Sequence, residues 1–192
     1  IGASGSGKTV FLKTLIGLIA PDAGSVSFNG QDIMSMSFEE KKRMRQHIGV
    51  LFQSSALFDF ATVLENVMFP MDFFTDWSRA EKKERAEYCL ERVNVRDAGS
   101  KYPSELSGGM QKRVGIARAI ALEPKYLFCD EPNSGLDPYT SILIDQLVSE
   151  LTKEYGMTTV INTHDMNSIL EIGDNIGFLY GGKMLWKGDR HT

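Results

Sequence analysis

The chain has 192 residues, which is the length of one domain with a substantial hydrophobic core. Its 21 Lys and Arg residues against 25 Asp and Glu residues give a net charge of −4, which argues against nucleic acid as a partner. Hydrophobic residues make up 42% and charged residues 24%, which excludes a disordered or collagen-like chain, and the apolar stretches are too short to cross a bilayer.

No segment of the chain is repeated or of low complexity. The two cysteines, Cys89 and Cys129, lie far apart and match no spacing typical of a metal site. We expect both to be buried thiols in a reducing compartment, which we interpret as the cytoplasm.

The chain opens on a glycine-rich loop, GASGSGKT, which matches the pattern G-x-x-x-x-G-K-[ST] in full. In such a loop the backbone N–H groups surround phosphate oxygens, Lys8 reaches the β- and γ-phosphates, and the Thr9 hydroxyl ligates Mg²⁺. The alternative is an ordinary Gly/Ser turn before a helix. The predicted nucleotide ligands of the loop are Gly2, Ala3, Ser4, Gly5, Ser6, Gly7, Lys8 and Thr9.

Only Ile1 precedes this loop, although a phosphate loop normally follows a strand, so we expect the N-terminal strands of the domain to be missing from the sequence. Whether the C-terminal end is complete is left open. From residue 54 to about residue 105 the strand signal disappears, which favours a helical insertion. The predicted elements of this half are a helix at 10–18, strands at 25–28 and 48–52, and helices at 38–45, 62–69 and 79–93.

A second glycine pair opens the helix predicted at 107–122, in the segment LSGGM. The Ser107 hydroxyl and the free amides of Gly108 and Gly109 would form a second anion site at a helix N-terminus. The alternative is that Ser107 is simply a helix cap. Because one nucleotide does not need two such sites, we expect a dimer in which this site closes on the γ-phosphate held by the other chain.

Two acidic residues end an apolar strand predicted at 126–129, in YLFCDEP. If this strand lies beside the glycine-rich loop, Asp130 reaches the Mg²⁺ ion, whereas Glu131 points elsewhere and polarises the attacking water. The alternative is a pair of carboxylates that face solvent or cap the next helix.

The last part of the chain alternates between helix and strand and ends in a hairpin around Gly181 and Gly182. This alternation predicts an α/β fold with a mainly parallel sheet covered by helices on both faces. His164 follows one of these strands and, taken alone, indicates no more than a core or surface group. The predicted elements are helices at 138–153 and 166–172 and strands at 158–163, 176–180 and 183–186.

In order along the chain, these motifs resemble those of the ATP-binding cassette (ABC) family. GASGSGKT is similar to its Walker A, Gln53 to its Q-loop, LSGGM to its signature, LFCDEP to its Walker B, SGLD to its D-loop and His164 to its switch histidine. The resemblance implies a P-loop NTPase of ABC type with a helical subdomain inserted between the Q-loop and the signature. It divides a single domain, 1–192, into a core of 1–53 and 123–192 and a helical subdomain of 54–122.

The resemblance also implies roles for individual residues. Glu131 would be the general base, Gln53 would contact Mg²⁺ and sense the permease, and His164 would contact the γ-phosphate. Asp137 would organise the dimer interface near the opposite site. The implied catalytic residues are Lys8, Gln53, Glu131 and His164, the implied metal ligands are Thr9, Gln53 and Asp130, and the implied nucleotide ligands outside Walker A are Ser107, Gly108, Gly109 and Asp137.

The sequence departs from the family pattern in two respects. The signature ends in Met110 instead of Gln, which leaves the phosphate-facing groups unchanged, so we expect catalysis to survive. The region that supplies an aromatic residue to stack on adenine lies upstream of Walker A and is absent, so that residue has no candidate.

QSSALFD from Gln53 and the Met-ending signature are most similar to the Mla/Mce-associated phospholipid-trafficking ATPases, also described as toluene tolerance ATPases. That resemblance implies an ATP-hydrolysing homodimer on the cytoplasmic face of the inner membrane, bound to integral membrane permease subunits. Through the permease it would serve an Mce-type periplasmic lipid-binding protein and move phospholipid between the inner and outer membranes. The alternatives are a transporter for lipoproteins, amino acids or metal ions, and a non-transport ATPase acting on ribosomes or in cell division.

The segment after Gln53 is unusually aromatic. Its rings could form a groove for a short cytoplasmic helix of the permease, or the core of the helical insertion. The basic run KKRMR from Lys41 is interpreted as a solvated helix face. The aromatic residues concerned are Phe58, Phe60, Phe69, Phe73, Phe74 and Trp77.

Overall fold

Helices and short strands make up the regular structure of residues 1–189, which are the residues that the computed structural model describes. Residues 190–192, the end of the segment assigned above to the core, lie outside the described residues. The helices are α1 (Lys8–Leu15), α2 (Phe38–Gln46), α3 (Val63–Phe74), α4 (Arg79–Arg92), α5 (Gly108–Ile120), α6 (Pro138–Glu154) and α7 (Met166–Ile172), with 3₁₀ turns at Ile33–Ser35, Arg96–Ala98 and Pro103–Glu105. The strands are β1 (Ser27–Phe28), β2 (Gln31–Asp32), β3 (Ile48–Leu51), β4 (Tyr126–Asp130), β5 (Thr158–Asn162), β6 (Asn175–Tyr180) and β7 (Lys183–Asp189).

The central sheet has three parallel strands in the order β3-β4-β5. Cys129 on β4 pairs with Leu51 on β3 and with Ile161 on β5, so the carboxyl ends of all three strands meet at one edge. Side chains of β4 alternate between two apolar layers. Leu127 and Cys129 belong to the main core, which α3, α4, α5 and α6 share, whereas Phe128 packs on α1. The predicted parallel sheet with helices on both faces is therefore confirmed.

The remaining strand pairs are antiparallel. β1 pairs with β2 and β6 pairs with β7, the latter around the Gly181-Gly182 turn that the sequence predicts. The strand predicted at 25–28 covers only Ser27–Phe28, and the prediction had no counterpart for β2. The Asn29-Gly30 turn between them has positive φ at both residues, which is the geometry of a tight hairpin.

Only helices and turns occur between β3 and α5, as the predicted insertion requires. α3 and α4 each begin with a capping box, Thr62 with Glu65 and Ser78 with Glu81. The sequence predicts the end of the first of these helices at 69, but α3 continues through Pro70 to Phe74, and buried Met71 packs in the core.

Cys89 and Cys129 are both free and fully buried, as predicted. Burial raises the pKa of the Cys89 thiol to about 11 and that of the Cys129 thiol to about 12. No helix within residues 1–189 is both long enough and apolar enough to span a bilayer.

The six aromatic residues named above, from Phe58 to Trp77, do not form a core. Phe60 is 82% exposed, Phe73 59% and Trp77 42%, and the other three are at least partly accessible. The interpretation of these rings as the core of the helical insertion is therefore wrong, because the aliphatic and sulfur-containing side chains of α3, α4 and α5 fill that core.

Candidate active site

The glycine-rich loop runs from Ile1, which exchanges hydrogen bonds with Gly177 and Leu179 of β6, to the N-terminus of α1. Gly7 caps the helix with φ +98°, and Gly5 has φ +77°, so both lie in the left-handed region that favours glycine. No side chain caps the first turn of α1. Its amide groups therefore remain suited to an anion, at the positive end of the helix dipole.

Lys8 lies in the first turn of α1 and is buried. Its ammonium donates hydrogen bonds to the carbonyl oxygens of Gly2 (2.7 Å) and Ala3 (3.2 Å), across the concave side of the loop. The same Nζ lies 3.2 Å from Oε1 of Glu131. A phosphate that binds the loop would compete with this carboxylate for the lysine.

Thr9 and Asp130 lie together, as the sequence predicts. The Thr9 hydroxyl donates to Oδ1 of Asp130 at 3.1 Å, and Asn162 Nδ2 donates to the same oxygen at 3.3 Å. The Asn162 amide also donates to the Lys8 carbonyl oxygen at 2.7 Å, so it fixes β5 to α1 and to β4.

The Thr9 and Asp130 oxygens suit Mg²⁺. This ion is usually bound by one or two carboxylates together with substrate phosphates and water. Within residues 1–189 no three or more His, Cys, Asp or Glu side chains lie close enough together to hold a metal ion by themselves.

Glu131 follows β4 in a backbone conformation that is rare for its residue type, with φ +50°. Its N–H donates to the Asn162 carbonyl oxygen at 2.9 Å. Its Oε2 lies 2.7 Å from Nδ1 of His164, whose side chain is 62% exposed, whereas Glu131 itself is buried. The Glu131 carboxylate therefore connects Lys8 inside the loop with His164 at the surface, and it diverges from Asp130 as predicted.

A buried cation links this edge of the sheet to the helical segment. The Lys112 ammonium on α5 donates to the carbonyl oxygen of Gln53 and, at 3.2 Å, to that of Glu131. Burial lowers the pKa of Lys112. One side chain of α5 thus contacts both the segment after β3 and the segment after β4.

A comparison with protein-family models finds a match to the family described as ABC transporter, over residues 1–134. The chain belongs to the ABC transporter family. Similar proteins include the methionine import ATP-binding protein MetN of Carboxydothermus hydrogenoformans, 43% identical over 98% of this cassette and 56% of that protein. The probable ribonucleotide transport ATP-binding protein mkl of Mycobacterium leprae is 39% identical over 100% of the cassette and 55% of its own length. The cassette therefore spans about half the length of these relatives.

Solved structures show the same fold. The dimeric ATP-binding cassette MJ0796 in a post-hydrolysis state with ADP and phosphate has a TM-score of 0.89 and 34% identity, covering 98% of this cassette and 83% of that chain. The cbiO1 protein of Clostridium perfringens, part of the transporter complex cbiONQ, has a TM-score of 0.87 and 31% identity over 99% of the cassette and 75% of that chain. The predicted ABC-type P-loop fold is confirmed.

The structure brings five of the predicted site residues of the cassette into one network. Lys8 and Thr9 come from α1, Asp130 and Glu131 from the end of β4, and His164 from the segment after β5. Because the carboxyl ends of parallel strands share an edge, this meeting follows from the topology.

The signature residues and Asp137 contact a different part of the cassette. The exposed Ser107 hydroxyl accepts from Met110 N–H and caps α5, while a Cβ at Gly109 would lie 2.8 Å from Thr140 on α6. Asp137 caps α6 by hydrogen bonds with Thr140, which lower the pKa of Asp137. These groups therefore form a second, exposed surface beside the start of α6.

Gln53 is exposed, and its backbone carbonyl is the group that Lys112 holds. The sequence analysis missed two contacting residues, Asn162 and Lys112. Asn162 could have been suspected as a polar residue at the end of a buried strand, two residues before His164. Lys112 offered no such signal, because a lysine in a helix is normally solvated.

Proposed function

We propose that the protein binds ATP with Mg²⁺ and hydrolyses it. The observation that carries this proposal is the buried Glu131 carboxylate, held between Lys8 and His164 beside the Thr9–Asp130 pair. A carboxylate placed there can orient a water molecule and accept its proton.

The other residues act by position and charge. Lys8 and the amide groups at the start of α1 neutralise the β- and γ-phosphates. Thr9 and Asp130 hold Mg²⁺, which withdraws charge from the phosphate oxygens when it is bound. His164 fixes Oε2 of Glu131, and its exposed ring can also contact the γ-phosphate.

Substitution of Glu131 tests this assignment. In the full-length protein, Glu131→Gln should lower ATP hydrolysis by at least about a hundredfold, because the amide cannot accept a proton, while ATP binding persists. Glu150→Gln, at an exposed position on α6, is the matched control and should hydrolyse ATP normally. Full turnover by Glu131→Gln would refute the general-base role.

We propose further that two copies act together and that Ser107, Gly108 and Gly109 of one copy close on the ATP bound by the other. The exposure of Ser107 and Gly108 beside the D-loop residue Asp137 supports this arrangement, as does the dimer formed by the similar cassette MJ0796. Gln53, which follows β3, would complete the Mg²⁺ coordination and respond to the permease.

We propose that ATP hydrolysis powers a membrane permease and that the cargo is phospholipid. Similarity to MetN, to mkl and to cbiO1 supports a transporter subunit attached to the membrane from its cytoplasmic side. The resemblance of residues 53–59 and of the signature to the phospholipid-trafficking ATPases supports the lipid cargo. The 43% identity to a methionine import protein favours amino acid import as the second candidate.

Purification of the full-length protein from its native membrane in mild detergent distinguishes these cargoes. Mass spectrometry that finds a permease, an Mce-type lipid-binding protein and phospholipid would support lipid transport. A permease with an amino acid-binding protein would support the second candidate. Ribosomal or cell-division proteins would refute the transport proposal.

The surface that we assign to the permease is a cavity of about 780 Å³ between α2, β3, α3 and α5. Its aromatic wall is formed by rings in mutual contact, with centroids 4.5 Å apart for Phe58 and Phe69 and 4.8 Å for Phe69 and Phe73. A short amphipathic helix of the permease can insert apolar side chains there. We call this surface the aromatic groove; its aromatic residues are Phe38, Phe52, Phe58, Phe69, Phe73 and Phe74.

A further inference from the structure

A buried polar cluster joins the turn after β4 to α6 and α7. Asn133 follows Glu131 in the turn after β4, Asp145 lies on α6, and Ser168 lies in the first turn of α7, which begins just after His164. These three side chains are 7%, 3% and 2% exposed. Three elements that lead away from the catalytic edge therefore meet at one polar contact inside the core.

One oxygen of Asp145 holds the other two side chains. Its Oδ2 accepts a hydrogen bond from the Ser168 hydroxyl at 2.6 Å and another from Asn133 Nδ2 at 3.2 Å. Asn133 Nδ2 also donates to the Ser168 hydroxyl at 2.8 Å, which closes a triangle.

Inside the core, the triangle joins the same two chain segments that the catalytic residues join at the surface. Glu131 and His164 join the segment after β4 to the segment after β5 by their 2.7 Å contact. Asn133 and Ser168 join the same two segments a second time, and Asp145 fixes both from α6.

Burial of the Asp145 carboxylate is energetically unfavourable. Its Oδ1 is buried and has no hydrogen-bond partner, and its neighbours on α6 are the core residues Ile144, Leu147 and Val148. Burial raises its pKa, so the surroundings disfavour the charged form. A carboxylate that is kept buried among apolar neighbours for the sake of these two hydrogen bonds indicates a role beyond packing.

We propose that Asp145 is a positioning residue that holds, through Asn133 and Ser168, the Glu131 and His164 segments at the separation that their hydrogen bond requires. The inference rests on the proposed ATP hydrolysis. It assigns to the middle of α6, the helix that Asp137 caps, a direct connection to both catalytic segments.

Asp145→Ala, Asp145→Asn and Ser168→Ala in the full-length protein test the role. We expect Asp145→Ala to lower kcat by about tenfold and Ser168→Ala by about threefold, while the Kd for ATP stays within about twofold, because the phosphate loop is not touched. Asp145→Asn should keep more than half of kcat, since its amide oxygen can accept both hydrogen bonds. The double variant Asp145→Ala with Ser168→Ala should be no slower than Asp145→Ala alone.

Thr152→Val is the matched control. Thr152 is also on α6, and its hydroxyl contacts Thr159 at 2.6 Å near the start of β5, at the end of the strand away from His164. Its loss should lower Tm but leave kcat unchanged. A drop in kcat for Thr152→Val equal to that for Asp145→Ala would overturn the proposal, as would equal losses for Asp145→Asn and Asp145→Ala.

Amide hydrogen exchange provides a readout that does not depend on turnover. Asp145→Ala should speed exchange in residues 131–137 and 163–168, and Thr152→Val should not. Unchanged exchange there would overturn the inference. If Asp145→Ala does not fold, Ser168→Ala and Asp145→Asn test the positioning role in its place. Absence of ATP hydrolysis by the unsubstituted protein would refute the proposed function alone, because the exchange measurement still tests the positioning role.

Discussion

Glu131 is held in a strained backbone conformation by contacts from several elements. A left-handed φ of +50° costs a glutamate of the order of 1 kcal/mol. The Asn162 carbonyl, Lys112, Lys8 and His164 all contact its backbone or its carboxylate. Strain of this kind persists where the surroundings determine the conformation, and it occurs at functional sites. These contacts fix the position of the Glu131 carboxylate at the end of β4.

Ser107 provides a prediction at the scale of a single residue. If its hydroxyl stabilises the phosphate held by the opposite copy, Ser107→Ala should slow turnover by roughly a hundredfold, as expected for about 3 kcal/mol of lost stabilisation. ATP binding to a single copy should stay unchanged, since Ser107 does not contact its own phosphate loop. Because Ser107 also caps α5, Tm should fall slightly.

Ser104→Ala is the control for this experiment, since Ser104 is exposed three residues earlier. Steady-state ATPase assays and binding of a fluorescent ATP analogue measure the two quantities separately. Normal turnover by Ser107→Ala would contradict the proposed contact with the second copy.

The sequence predicts best those helices whose first residues carry a capping signal. α2, α3 and α4 each begin at a serine or threonine with a glutamate three residues on, and all three have the full capping box. The predicted bounds are wrong where tertiary contacts determine the extent of a helix or strand. α3 continues past Pro70 because Met71 is buried, and β2 forms only because a tight turn returns it to β1.

Asn66 on α3 supports a testable prediction for this helix. Its fully buried side chain accepts from Phe58 N–H at 2.7 Å and donates to the carbonyl oxygens of Phe58, Ala61 and Thr62 at 3.0 to 3.1 Å. Asn66→Ala removes the side-chain partner of the Phe58 N–H and of the Ala61 carbonyl oxygen, whereas the Phe58 and Thr62 carbonyl oxygens keep their backbone hydrogen bonds. We expect the free energy of unfolding to fall by about 2–3 kcal/mol.

Urea unfolding measures this loss, and Asn167→Ala is the control. Asn167 is exposed on α7, and its replacement should change stability by less than about 0.5 kcal/mol. Equal stabilities of the two variants would show that the Asn66 contacts contribute little to holding the loop before α3.

The parallel topology explains why the sequence predicts which motifs lie together at the candidate site. Asp130 and His164 end or follow neighbouring strands, so their motifs must meet at one edge. Lys112 and Asp145 could not be predicted in the same way. Their partners are backbone carbonyls and side chains on other elements, and nothing in the local sequence identifies them.

The aromatic groove gives a prediction at the scale of the whole molecule. Phe73→Asp should weaken association of the full-length protein with its permease by at least about tenfold, because a charge would replace an apolar contact. Leu185→Asp is the matched control, since Phe73 and Leu185 are both 59% exposed and Leu185 lies on β7. Co-purification measures association, and equal retention by both variants would remove Phe73 from the interface.

The two thiols report on the integrity of the core. Because burial keeps Cys89 and Cys129 neutral, with pKa values of about 11 and about 12, iodoacetamide at pH 8 should leave both unmodified in the folded protein. In urea both should be alkylated, since an exposed thiol ionises much more readily at this pH. Peptide mass spectrometry measures the modification, and rapid labelling of the native protein would contradict the buried positions.

The hydrogen bond from Asn162 to the Lys8 carbonyl joins residues 154 positions apart. During synthesis Lys8 leaves the ribosome before Asn162 is made, so the phosphate loop emerges before the residues that contact it. Asp130, which accepts a hydrogen bond from Thr9, is likewise synthesised 121 positions after it. A truncated or stalled nascent chain therefore carries the Walker A loop without Glu131 and His164. On the function proposed above, a chain that stops before Glu131 lacks the general base and cannot hydrolyse ATP.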